Sequence, residues 1–169
     1  MAQAHSFYEE PKEKTVMDID KLRSELEADE GCKYEIYLDH LGFPTFGIGY
    51  LVTEWDEEYN KEVGTPVSEE RVAECFDKTV KQCVKDCKLI YPNFDKLPGE
   101  AQLVLANMSF NLGYHRLKNF KKLQASIVDE NFSLAADEMS DSKWARDDVP
   151  NRANRLIERM KVLNGSIQS

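Results

Sequence analysis

"DEGCKYEIYLDHLGFPTFGIGY", residues 29–50, runs from the end of a helix through two short alternating segments joined by turn chemistry. Upstream, "DIDKLRSELEADE" carries Ile19, Leu22 and Leu26 at helical spacing, and Gly31 stands where a helix C-cap belongs. "YEIYL" alternates as a strand, "DHLGFP" is a turn, and "TFGIGY" alternates again. A hairpin centred near Gly42 sets Asp39 opposite Thr45. Thr45, Gly47 and Gly49 then share one face, and Phe46, Ile48 and Tyr50 the other.

Around the hairpin the chain is patterned for helices. Ser68 with Glu69 and Glu70 is a helix start, because the hydroxyl can cap and the acids suit the positive end of the helix dipole. Val72, Cys75, Phe76, Val80, Cys83 and Cys87 keep helical spacing until Pro92 and Pro98 punctuate the segment. "GEAQLVLANMSFNLG" is apolar almost all round, the mark of a buried central helix. Helical patterns continue through "RLKNFKKLQASIV", "SLAADEMSDSKW" and "NRANRLIERMKVL". The class is α+β, mainly α. A small hairpin lobe spans about residues 31–67, a long helix connects it onward, and a helical lobe spans about 90–163 together with the N-terminal helix. Residues 1–18 read as a polar extension and 19–169 as the folded domain. A cleft between lobes is a natural ligand site.

Composition narrows the function. The chain has 169 residues and a net charge of −9, unevenly spread. Residues 54–70 hold seven acids against Lys61, whereas residues 116–161 hold ten bases against eight acids. Nucleic-acid binding is not expected, because a polyanion binder needs a basic footprint. No apolar run suits a membrane span. "MAQAHSFYEEPKEK" lacks a secretory pattern, so synthesis in the cytoplasm is expected. Cys32, Cys75, Cys83 and Cys87 read as reduced, mostly buried thiols. His5, His40 and His115 are not at metal-ligand spacing from them, so no metal is expected.

One more turn beyond Ile19, Leu22 and Leu26 falls on Glu30, which places an acid on the apolar stripe and leaves Asp29 the solvated role. Asp39 alone is an ordinary turn residue. The Thr-Gly-Gly face beside it has little to pack, so it admits either a ligand or a tight helix–hairpin contact. Two carboxyls flanking a cleft, with a hydroxyl beside one of them, can cleave a glycosidic bond. One donates a proton to the leaving oxygen, while the other stabilises positive charge and orients water.

Glu30, eight residues, Asp39, five residues, Thr45, set within "DEG…IY.D..G..T.GIG", resembles the catalytic pattern of the phage-type lysozymes, the T-even endolysin kind of glycoside hydrolase family 24. "NMSFNLG" (107–113) and "SKWARDDVPNRANRLI" resemble further signatures of the family, and the likeness covers roughly residues 20 to 163. The resemblance implies a lysozyme-like two-lobe fold and an inverting hydrolysis of the β-1,4 bond between N-acetylmuramic acid and N-acetylglucosamine. It assigns Glu30 as general acid, Asp39 as stabilising carboxylate and Thr45 as the hydroxyl that holds water. It places Leu51, Phe110, Asn111, Gly113 and Arg152 at the substrate, with Arg152 paired to Glu30. It implies no cofactor, bacterial peptidoglycan as partner, a monomer, and action on the cell wall after release (in the host cytoplasm if phage-encoded). Tyr50 stands where the family has a His, so the ion pair of that His should be absent, and segment 52–67 is shorter than its counterpart. A non-catalytic wall-binding or phage-structural module, a chitin-cleaving relative and a lytic transglycosylase are the rival readings. Retention of Glu30, Asp39 and Thr45 weighs against the first, and a water-binding Asp–Thr pair against the last.

Overall fold

The computed structural model describes residues 17–167, with side chains to residue 163. Expectations for residues 1–16 lie outside the described residues. The order is α1 (Ile19–Glu30), β1 (Lys33–Leu38), β2 (Pro44–Gly47), β3 (Tyr50–Leu51), α2 (Glu69–Ile90), a 3₁₀ turn (Phe94–Lys96), α3 (Gly99–Lys118), α4 (Lys121–Val128), α5 (Phe132–Ser140), a π-helical turn (Trp144–Asp148) and α6 (Pro150–Ile167). This is the expected α+β, mainly α class. Among the described residues, no helix is long and apolar enough to cross a membrane.

The long helix α2 organises the molecule, because its single apolar stripe crosses three buried clusters. Ser68 caps its start by accepting from the Arg71 backbone N–H. Val72 and Cys75 then pack with Ile36, Phe46 and Val67 of the small lobe. Phe76 and Val80 join Leu22 and Leu26 of α1 and Leu103 of α3. Cys87 and Ile90 enter the large cluster of α3 to α6, around Trp144, Phe132 and Met108. A helix shared by three cores fixes the small lobe relative to the helical one. Burial pushes the Cys75 and Cys83 thiols up to about 11, so both are neutral apolar filler at ordinary pH. Cys32 is only half-buried.

Several boundaries differ from the sequence reading. Ile19 is 40% exposed, so the buried stripe of α1 begins at Leu22. Met17 is buried with Leu22 and Leu26, and Asp18 caps α1 through the Lys21 backbone N–H. Met17 therefore packs against the helix and Asp18 caps it, so both belong with α1. Residues 116–118 belong to α3, which continues through a kink at Gly113 (φ 77°), a backbone geometry that suits glycine. The "SLAADEMSDSKW" pattern divides where α5 ends at Ser140, and its Trp144 opens the π-helical turn.

The hairpin register also departs from expectation. Thr45 pairs with Tyr37 and with Leu51, not with Asp39, whose N–H instead bonds the Phe43 carbonyl at 3.0 Å. "TFGIGY" is not one strand. Gly47 and Gly49 take positive φ (61° and 64°), and the chain turns through Ile48 so that Phe46 pairs with Tyr50. Phe46 and Tyr50 pack in the small-lobe core, whereas Ile48, in the turn, is buried against α1 and α2, so the three do not share the one face expected of them. The free edge of β1 is covered by the returning loop, through Ile36 N–H to Thr65 (3.0 Å) and Val67 N–H to Tyr34 (2.9 Å).

Tyr50 meets Asp56 as a neutral donor. Its hydroxyl bonds Asp56 at 3.0 Å, and Asp56 also accepts from the Thr53 N–H (2.7 Å) and hydroxyl (2.9 Å). Arg71 of α2 reaches Asp56 (3.1 Å) and Glu58 (2.8 Å), which ties the acidic loop to the helix. Burial raises the Asp56 pKa, but the Thr53, Tyr50 and Arg71 contacts outweigh it and hold the carboxyl below its usual range. The stability this contributes is fully present above the ordinary Asp pKa of about 3.9 and is lost as pH falls through the lowered folded-state value. Asp56→Asn is therefore expected to lower the melting temperature above about pH 5, and the two melting curves should converge toward pH 2. A constant difference across that range would show that Asp56 acts through shape alone.

Candidate active site

Glu30 is the last residue of α1, and Gly31 closes the helix by bonding its N–H to the Glu27 carbonyl at 2.8 Å. The buried positions Leu22 and Leu26 orient α1, so Glu30, one turn on, emerges at the floor of a cleft with its side chain 27% exposed. The cleft has a volume of about 500 Å³. Asp39 and His40 line one wall from the hairpin turn, Thr45 and Leu51 from β2 and β3, and Phe110 and Asn111 the other wall from α3.

Each group is held in place. Asp39 Oδ1 accepts from the backbone N–H of Leu41 (2.9 Å) and of Phe43 (2.8 Å), which fixes the carboxylate by its own turn. The turn reading and the functional one are thus compatible. Thr45 is 2% exposed and donates its hydroxyl to the Phe43 carbonyl at 2.8 Å. That bond uses the proton and leaves the oxygen as an acceptor. Asn111 Oδ1 accepts from the indole N–H of buried Trp144 at 2.8 Å.

The glycine face serves both purposes left open by sequence. A Cβ at Gly47 would come within 3.0 Å of Val72, so that glycine permits close packing on α2. A Cβ at Gly49 would meet Glu30 Oε2 at 3.7 Å, so that one borders the acid.

Arg152, on the first turn of α6, donates to Glu30 Oε1 at 2.6 Å, which brings together residues 122 apart in the chain. It lies behind Glu30 and lines a separate cavity of about 300 Å³ with Asp29, Pro150 and Arg155. Gly113 is not among the residues lining the cleft; it forms the kink of α3 three residues beyond Phe110. Of the expected site residues, Glu30, Asp39, Thr45, Leu51, Phe110 and Asn111 share the cleft, Arg152 backs it, and Gly113 stands apart.

Asp29 overturns the solvated role expected for it. Its side chain is only 5% exposed, lies 3.3 Å from Arg152, is bonded by Arg155, and accepts from Asn107 at 3.4 Å. The sequence carried a signal for this. Lys21, Glu25 and Asp29 recur every four residues on α1, and each meets a partner on α3 or α6: Lys21 with Glu100 (3.2 Å), Glu25 with Arg159 (3.0 Å), Asp29 with Arg152. Lys33, Tyr37 and Leu38 of β1 also line the cleft and were not singled out from sequence.

A phage lysozyme family model matches residues 27–161, a span that holds the whole constellation. The chain belongs to the phage lysozyme family. It is 28% identical over 161 residues to "Probable T4-type lysozyme 1" of Dictyostelium discoideum, covering 82% of this chain and 92% of the relative. "Probable T4-type lysozyme 2" of the same organism is 27% identical over 158 residues, with the same coverage. A relative named peptidoglycan hydrolase gp36, from Pseudomonas phage phiKMV, is 27% identical over 143 residues, covering 85% of this chain but 15% of the relative. The chain is a glycoside hydrolase of the lysozyme class.

Proposed function

We propose that the chain hydrolyses bacterial peptidoglycan at the β-1,4 bond between N-acetylmuramic acid and N-acetylglucosamine, with inversion at the anomeric carbon. The observation that carries this reading is one cleft in which Glu30 rises from the end of a helix while Asp39, fixed by its own turn, stands on the hairpin wall with Thr45. Glu30 is the general acid for the leaving oxygen. Asp39 stabilises the oxocarbenium-like charge and, with the acceptor oxygen of Thr45, orients the attacking water. Leu51, Phe110 and Asn111 offer sugar-binding contacts along the walls, and Arg152 positions Glu30. A carbohydrate chain suits a cleft with exposed apolar edges and convergent polar groups. The names of the relatives support peptidoglycan over chitin as substrate.

Proton NMR of the first products from a soluble peptidoglycan oligosaccharide tests the stereochemistry. The α-anomer is expected before mutarotation sets in, because water attacks the face opposite the leaving group. Initial release of the β-anomer would assign Asp39 the part of a nucleophile instead.

A further inference from the structure

The contact between Glu30 and Arg152 raises a chemical difficulty. A general acid must carry its proton when the substrate binds, yet a guanidinium at 2.6 Å favours the carboxylate anion. Arg152 cannot relieve this by reaching water, since its side chain is 8% exposed.

We propose that Asp29 is a positioning residue that shares Arg152 with Glu30, so that Arg152 orients the acid without its full positive charge falling on it; the proposal rests on Glu30 being the general acid. Arg152 uses separate nitrogens for its partners: Nη1 donates to Glu30, while Nε donates to Asn107 Oδ1 at 2.9 Å and lies 3.3 Å from Asp29 Oδ2. Asn107, itself 1% exposed, binds Arg152 with its oxygen and Asp29 with its amide, and so holds the two at a fixed separation. The other oxygen of Asp29 accepts from Arg155, whose side chain is 58% exposed. The array alternates in sign from solvent inward: Arg155, Asp29, Arg152, Glu30. A buried carboxylate beside a catalytic acid is costly unless paired, and here both of its oxygens are paired. Asp29 and Arg152 together are neutral, so Glu30 meets an oriented dipole in place of a bare cation.

The remaining charged and titratable groups facing Glu30 are few. β1 contributes Lys33 and Tyr37, and the Lys33 ammonium sits 4.4 Å from the Tyr37 ring centroid. The hairpin turn contributes Asp39 and His40. From α3 come Asn107, Phe110 and Asn111, none of them charged. Asp29 is thus the anion that counterbalances Arg152 within the buried array.

The test is the pH dependence of kcat/KM on soluble peptidoglycan fragments, whose alkaline limb reports proton loss from the acid in the free enzyme. Asp29→Asn should move that limb to lower pH by about one unit, the low end of what an uncompensated neighbouring charge produces. Arg155→Ala frees more of the Asp29 charge for Arg152 and should move the limb upward, by less, because Arg155 is largely solvated. Asp29→Glu should bring the limb back toward its original place. A purely structural role would lower the amplitude or the melting temperature and leave the limbs superimposed, and that result would overturn the proposal. If Asp29→Asn does not fold by circular dichroism, the direction of the Arg155→Ala shift decides alone. Glu30→Gln separates the two readings: an active Glu30→Gln refutes the acid assignment, whereas an inactive Glu30→Gln together with unmoved limbs in Asp29→Asn refutes only the role of Asp29.

Discussion

Glu30→Gln is expected to reduce peptidoglycan turnover by on the order of 10² to 10⁴-fold, the range that general acid catalysis supplies. Glutamine preserves the shape of the side chain and can still accept from Arg152 through its amide oxygen, but it has no proton to give the leaving group. Among the residues lining the cleft, the other carboxyl is Asp39, and its Oδ1 is committed to two backbone N–H groups of its own turn. The fold should survive, because α1 is anchored by Leu22 and Leu26 and by the Glu25–Arg159 and Lys21–Glu100 pairs, all independent of Glu30. The measurement is clearing of a peptidoglycan suspension alongside a circular dichroism melt. A folded variant that clears at the original rate would remove Glu30 from the chemistry.

Arg152→Ala is expected to have the largest effect on stability. Its guanidinium is the common partner of Glu30, Asp29 and Asn107, and it joins α1 to α3 and α6. Removing it leaves Asp29, 5% exposed, with Arg155 as its remaining cation, and leaves the Asn107 carbonyl without its donor. Breaking a buried pair from one side costs about 3 to 5 kcal/mol. For a domain of this size, each kcal/mol lowers the melting temperature by roughly 2 to 4 °C. Retention of Asp29–Arg155 places the expected loss at the lower end, about 3 kcal/mol. Activity should fall as well, since Glu30 loses the contact that orients it. An unchanged melt with unchanged kinetics would reduce Arg152 to an ordinary helix residue.

What the sequence disclosed was whatever depends on neighbours in the chain. The stripe of α2, its Ser68 cap, the Gly31 C-cap and the buried α3 all follow from spacing and local chemistry, and the structure places them as read. The register of the hairpin was less accessible, because "TFGIGY" alternates like one strand while two glycines of positive φ fold it into a second turn. Thr45 therefore lines the cleft from a position opposite Tyr37 and Leu51, although its distance from Asp39 along the chain had suggested direct pairing. Asp29 was hidden for a different reason. Its partners Asn107, Arg152 and Arg155 lie 78 to 126 residues away, and burial of a helix-end acid depends wholly on what the later helices bring to it. Glu30 and Arg152 are as distant, and it was the family signature, not local pattern, that joined them.

The most direct test of the account is the chemical identity of the new reducing end. Purified enzyme is incubated with peptidoglycan, the fragments are reduced with borohydride, and their masses and sugar composition are determined. Hydrolysis by Glu30, Asp39 and Thr45 predicts reduced N-acetylmuramic acid at the newly formed ends, with one water added per bond cleaved. Reduced N-acetylglucosamine would place the cut at the other glycosidic bond, and 1,6-anhydromuramic ends would show that Asp39 and Thr45 do not deliver water to the anomeric carbon.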